Sequence, residues 1–270
     1  MKHKTIIVLG ICFCLCGLII LFNVYRFSVL PYRQVEVAYR IQDNIIRTIK
    51  NDKMADLDKY INISESASKN IENFTDTDGG SKDTFLDSCL EINDDSVGWI
   101  SIPDTNIDYP IVQCADNDFY LHHGIDGEYN YELGCPFLDY RCDESFTGFN
   151  SIVYAHNMEK RMMFADVARF SEEDFLCSHS IGALVTADGI HTVRFFCYLN
   201  APSNSPVYHA VFITDSDRRD YIDHLYAMAN YPPIIDKSEI IANGDPRLLL
   251  LSTCTFQTEN ARGILVGIIE

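Results

Sequence analysis

The chain opens on an apolar block and then changes texture twice. After Met1-Lys2-His3-Lys4, the stretch Thr5 to Phe22 carries no charged residue. As a helix rising about 1.5 Å per residue it reaches about 27 Å, close to a bilayer core of about 30 Å. No small-residue cleavage site follows in Asn23-Val24-Tyr25-Arg26-Phe27, so the pattern predicts an uncleaved membrane anchor over residues 5–22 with residues 1–4 in the cytoplasm. Lys2 and Lys4 precede this block while Arg26, Arg33 and Arg40 follow it, and charge alone therefore does not set its orientation.

From Pro31 to about Phe74 the sequence is polar with a four-residue stripe, Val37, Ile41, Ile45 and Ile49, taken up again at Leu57 and Ile61. That spacing predicts amphipathic helices in an arm over residues 23–80, either a stalk or helices packed on the following domain. Thr75-Asp76-Thr77-Asp78-Gly79-Gly80 breaks the pattern, and Ser81 can cap a short helix carrying Phe85, Leu86, Cys89 and Leu90.

Beyond Asp95 the periodicity shortens to β-like runs between turn residues: Val97–Ile102, Ile107–Val112, Ser151–Tyr154, Ile181–Thr186, Thr192–Leu199, Val207–Ile213, Leu248–Thr253 and Ile264–Ile269. Eight such runs over residues 81–270 predict a mainly β domain, a barrel or a sandwich. Two helical insertions interrupt them. One is Met162–Phe170, continuing near Glu172; the other is Asp215–Ala229, where Tyr221, Leu225 and Met228 share a face.

Composition narrows the class. With 47% hydrophobic and 12% aromatic residues, the chain can bury a sizeable core, which excludes wholesale disorder. The formal net charge of −18 repels phosphate backbones and argues against nucleic acid as a partner. Cys12, Cys14 and Cys16 fall in the apolar block. The other seven, Cys89, Cys114, Cys135, Cys142, Cys177, Cys197 and Cys254, are odd in number and contain no C-x-x-C pair. Most are expected to be buried, with at least one free thiol.

One of them stands in a chemical context. Leu248-Leu249-Leu250-Leu251-Ser252-Thr253-Cys254 is an apolar strand that turns polar at its end and leaves a cysteine at the boundary. Asn150-Ser151-Ile152-Val153-Tyr154-Ala155-His156-Asn157-Met158 repeats the design with a histidine, and Arg262 stands where a last strand begins. A cysteine, a histidine and an arginine at strand ends form a candidate acyl-transfer site.

These segments resemble the sortases, and among them class B. The family's T-L-x-T-C signature is matched at Leu251-Ser252-Thr253-Cys254, with Leu250 in the place of the usual threonine. Asn150–Met158 is similar to the family's histidine segment, with Ala155 where glycine is common, and Arg262 falls on its arginine. Val97-Gly98-Trp99-Ile100-Ser101-Ile102-Pro103, Ile107-Asp108-Tyr109-Pro110-Ile111-Val112-Gln113 and Met163-Phe164-Ala165-Asp166 also resemble class B sequences. The likeness spans about residues 85–270.

The resemblance implies a closed eight-stranded β-barrel with N-terminal helices and a helix in the connection before the cysteine strand. It also implies a single-pass membrane protein of a Gram-positive cell, with its catalytic domain outside. Such an enzyme is a cysteine transpeptidase that cleaves an Asn-Pro-x-Thr-like sorting signal after threonine and transfers the surface protein to a cell-wall amine. Its catalytic residues would be His156, Cys254 and Arg262. Asn117, Ser252, Thr253 and Tyr221 would touch the substrate peptide, and no cofactor is implied.

Other features carry less. His122-His123 near Asp126 lacks a third ligand at useful spacing, and Asp139, Asp143 and Glu144 lack the alternation of a calcium loop. No metal site is expected. No glycine-rich phosphate loop is present either. The rival readings are a membrane-tethered cysteine protease using Cys254 and His156 with water as acceptor, and a non-catalytic surface binding module.

Overall fold

Among the described residues ten strands build the fold. They are β1 (Ser96–Ser101), β2 (Asp108–Val112), β3 (Phe137–Leu138), β4 (Asn150–Ala155), β5 (Asn157–Met158), β6 (Met162–Met163), β7 (Ile181–Thr186), β8 (Gly189–Pro202), β9 (Arg247–Cys254) and β10 (Ala261–Ile269). The computed structural model describes residues 16–26, 36–37, 39–50, 85–130, 133–158, 161–242, 244–254 and 261–270, without the side chains of Phe85 and Cys254.

Eight strands close into a barrel in the order β1-β2-β3-β4-β9-β10-β8-β7, and β5 and β6 form a separate hairpin. Most neighbours are antiparallel; β2–β3 and β4–β9 are parallel. Closure leaves no barrel edge unpaired. The four leucines Leu248–Leu251 are each 0% exposed, as expected of a strand covered on both faces.

Seven of the predicted runs are barrel strands, and one is not. Val207–Ile213 contains a 3₁₀ turn, Pro206–Tyr208, begun by proline and by Ser205 Oγ accepting from Val207 N, and then runs out to Ile213, which is 89% exposed. The eighth strand is instead β3, two residues long, paired with Val112 on one side and with Tyr154 and Val153 on the other. A two-residue strand has no period to detect. The predicted Met162–Phe170 helix is also corrected: Arg161 and Met163 take φ of 58° and 53°. Left-handed residues interrupt an α-helix, and the segment becomes strand β6 followed by the 3₁₀ helix Ala165–Ser171 and the short helix Glu173–Ser178. The Asp215–Met228 helix forms as expected, started by a capping box between Thr214 and Asp217.

Residues 39–50 are helical, and they pack on the barrel rather than standing clear. Ile46 and Ile49 are 6% and 2% exposed and join Leu86, Cys89, Trp99 and Val112 in a second apolar cluster. Lys50 forms an ion pair with Asp108, whose other oxygen accepts from Trp99 Nε1 at 2.7 Å. The buried face is therefore Gln42, Ile46 and Ile49; Val37 and Ile41 of the predicted stripe are exposed. Leu57, Ile61 and Ser81 lie outside the described residues. So does residues 1–15, most of the predicted span; among the described residues no helix is long and apolar enough to cross a membrane.

Candidate active site

Strand register brings the chemical residues to one end of the barrel. β9 and β10 are antiparallel with Cys254 directly opposite Arg262, and β4 and β9 are parallel with Ala155 opposite Thr253. His156 follows Ala155 at the strand end, so histidine and arginine flank the last residue of β9 from the two neighbouring strands. The cysteine side chain and residues 255–260 lie outside the described residues.

A groove of about 630 Å³ opens at this end, lined among others by Asn117, Leu121, His156, Ser252, Thr253 and Arg262. The imidazole is held from one side: His156 Nε2 lies 2.8 Å from the carbonyl oxygen of Leu121. A carbonyl only accepts, so Nε2 carries a proton and Nδ1 is the nitrogen left to exchange one. The His156 carbonyl in turn accepts from Phe164 N at 3.0 Å.

The loop behind Leu121 needs a glycine to set that carbonyl. Gly134 has φ of +61°, and a Cβ there would fall 2.6 Å from the Tyr120 carbonyl oxygen and 2.9 Å from that of Leu121. Only a residue without a side chain passes so close in that conformation.

Arg262 is partly buried and makes a long 3.5 Å contact to the Ala261 carbonyl, with no ion pair among the described residues. Ser252 and Thr253 are each 1% exposed. Ser252 Oγ lies 2.9 Å from the Tyr208 hydroxyl, while Thr253 Oγ1 has no hydrogen-bond partner among the described residues. Asn117, which lines the groove, accepts from Tyr140 N through Oδ1 at 3.1 Å.

Tyr221 is not at the groove. It is 5% exposed, its hydroxyl donates to the Val207 carbonyl at 2.6 Å and accepts from Asn150 Nδ2 at 2.9 Å. Burial and these bonds make it a support beneath the 205–209 turn, and its helical position on a face shared with Leu225 is a core position.

The groove also holds residues that sequence reasoning passed over: Arg141, Tyr154, Tyr208 and the Ser203–Ser205 stretch. Asp139 sits behind them, wholly buried. Burial pushes its carboxyl up, but hydrogen bonds and charge from Arg141, with the Tyr154 hydroxyl, hold it below the usual carboxylate range. The D-x-R spacing of Asp139 and Arg141 was the one available signal.

The buried thiols are poor competitors for chemistry. Burial pushes Cys89, Cys142 and Cys197 up to about 12, so each stays protonated near neutrality. Cys177 is exposed and Cys114 partly so.

No protein-family model matches the chain. The chain is 32% identical over 192 residues to sortase B of Listeria monocytogenes, covering 71% of this chain and 75% of that protein. Among solved structures it is similar to Clostridium perfringens sortase B, with a TM-score of 0.61 and 28% identity over 68% of this chain and 98% of that one. A Staphylococcus aureus sortase B–substrate complex shares the fold, with a TM-score of 0.63 at 21% identity over 82% of this chain and 97% of that one.

Proposed function

Because this chain belongs to the class B sortases, we propose that it is a cell-surface cysteine transpeptidase acting on C-terminal sorting signals through Cys254, His156 and Arg262. The observation that carries this is the register: Arg262 opposite Cys254, and His156 one residue beyond the partner of Thr253, on one groove.

Each role follows from the chemistry of the side chain. A free thiol titrates near 8.5 and is a few per cent ionised at neutrality, so flanking cations raise the reactive fraction. The Cys254 sulfur attacks the threonine carbonyl of an Asn-Pro-x-Thr-like signal, and the tetrahedral oxyanion forms beside Arg262. His156 takes up the thiol's proton at Nδ1 and gives it to the departing amine, the C–N bond breaks, and a thioacyl enzyme remains. The incoming amine of a cell-wall precursor loses a proton to the same nitrogen and displaces the sulfur, forming the new amide. Asn117, Ser252 and Thr253 line the groove and are placed to meet the peptide. The uncharged block at residues 5–22, whose described side chains Leu18–Phe22 are all at least 59% exposed, would tether the enzyme to the membrane with its barrel outside.

Product analysis tests the reading. The full chain in detergent is mixed with a sorting-signal peptide, with and without a glycine-type amine, and products are weighed by mass spectrometry. The expected outcome is cleavage after threonine and a ligated peptide when the amine is present. Hydrolysis alone in saturating amine would make it a protease, and no adduct at Cys254 would remove the enzymatic reading.

A further inference from the structure

One wall of the groove is held by an ion pair between a buried carboxylate and a partly exposed guanidinium, which the chemistry above leaves unused. Asp139 has no exposed surface. Its Oδ1 accepts from Arg141 N at 3.0 Å and from Arg141 Nε at 2.8 Å; Oδ2 accepts from Arg141 Nη2 at 2.6 Å and from the Tyr154 hydroxyl at 3.0 Å. Arg141 Nη2 also donates to the Tyr208 carbonyl at 3.1 Å. The Tyr208 hydroxyl reaches Ser252 Oγ at 2.9 Å, two residues before Cys254.

This chain of contacts spans the groove wall. Residues 203–208 belong to no barrel strand, and the backbone bonds of Ser205 and Tyr208 stay within the turn, to Pro202 and Ser205. On the core side, Tyr221 and Asn150 hold the carbonyls of Val207 and His209. On the groove side, among the described residues, the segment is tied by Arg141 and Ser252.

A buried carboxylate is costly unless paired, and an apolar pair of similar size would often serve stability as well. What the pair adds is direction. Two nitrogens of a planar guanidinium are fixed by one carboxylate, so Nη2 points at a single carbonyl.

We propose that Asp139 and Arg141 are positioning residues that hold the Ser203–Tyr208 wall in the place where the groove accepts an extended peptide, and so govern substrate affinity rather than the chemistry at Cys254. This rests on the reading that the groove takes a peptide acyl donor.

The test uses the full chain in detergent with the Asp139→Asn/Arg141→Met double variant, which removes both charges and strands neither. Arg141→Lys keeps charge without the fork and supplies the same comparison if the double variant does not fold. Three quantities are read: KM and kcat for a sorting-signal peptide, the rate of Cys254 alkylation by iodoacetamide located by mass spectrometry, and hydrogen exchange across residues 203–208.

A lost charge-assisted bond translates to about a tenfold effect or more. The expected result is a rise in KM of about tenfold with kcat and alkylation changed by less than about threefold, and exchange at 203–208 faster by about tenfold while β9 and β10 stay protected. Unchanged KM and exchange overturn the proposal. So does alkylation falling in step with peptide turnover, which would make the pair a support of the whole barrel. If the unsubstituted chain turns over no peptide, the functional reading fails, and the exchange measurement still decides whether the pair fixes the wall.

Discussion

In the proposed reaction Cys254 contributes through its sulfur alone. Alanine at this strand end removes the proposed nucleophile and keeps the strand backbone, so Cys254→Ala is expected to abolish peptide cleavage while moving Tm by no more than about 2 °C, checked by mass spectrometry and thermal melting. Arg262 is different in kind, because in the proposed reaction its planar fork would offer two donors to one developing oxyanion. Arg262→Lys should lower kcat/KM by about 10²–10³, as loss of an oxyanion donor does elsewhere; near-normal kinetics would remove that role. His156 acts through a neighbour that no motif marks. Gly134→Ala forces a Cβ against the carbonyl of Leu121, which holds Nε2, and strain in the left-handed region costs about 1–3 kcal/mol. Its expected signature is a lowered Tm together with a kcat loss and an altered His156 ¹⁵N shift. Residue types near strand ends were legible in the sequence; the acceptor opposite the imidazole was not, since a carbonyl is common to every residue and only the fold selects Leu121.

Strands and helices differ in how plainly they announce themselves. β9 and β10 were legible because long apolar runs have no alternative use, and the Asp215–Met228 helix because Thr214 and Asp217 cap it. β3 was not, and the Val207–Ile213 run misled because apolar residues in a loop over the barrel mimic a strand. The N-terminal helical residues make the same point in reverse. Their stripe predicted Val37, Ile41, Ile45 and Ile49 on one buried face; Ile45 and Ile49 do pack on the barrel, but Val37 and Ile41 are exposed, and Gln42 and Ile46 join the buried face where Lys50 meets Asp108. Ile49→Ala should therefore cost about 2–5 kcal/mol in urea unfolding of the full chain. A free stalk would show almost no change.

At the scale of the whole molecule, buried carboxylates make stability depend on pH. Asp139 and Asp166 are both held below their ordinary range: burial raises each, and guanidinium partners, Arg141 for one and Arg161 with Arg169 for the other, more than reverse it. Carboxyls depressed in the folded state bind protons more readily when unfolded, so their stabilisation is complete above the unfolded value of about 3.9 and drains away as pH falls below it. Acid unfolding followed by circular dichroism should start below about pH 4. Asp166→Asn should be less stable at pH 7 and show a shallower dependence between about pH 4 and 2; an unchanged acid limb would show that the pairing with Arg161 carries no linkage.

The amino-acid order by itself determined that a β-rich domain follows an uncharged block and a helical arm, and which sulfur, imidazole and guanidinium stand at strand ends, because hydrophobic period and local polarity are properties of short windows. Tertiary structure alone decided which strand neighbours which, and hence that Cys254 faces Arg262 with His156 beside it. It also decided that Tyr221 supports a turn instead of lining the groove, that Asp139 is buried beneath the Tyr154 hydroxyl rather than solvated, and that Arg141 reaches the Tyr208 carbonyl. These are contacts between residues far apart in the chain, and no local pattern encodes a partner that only barrel closure brings near.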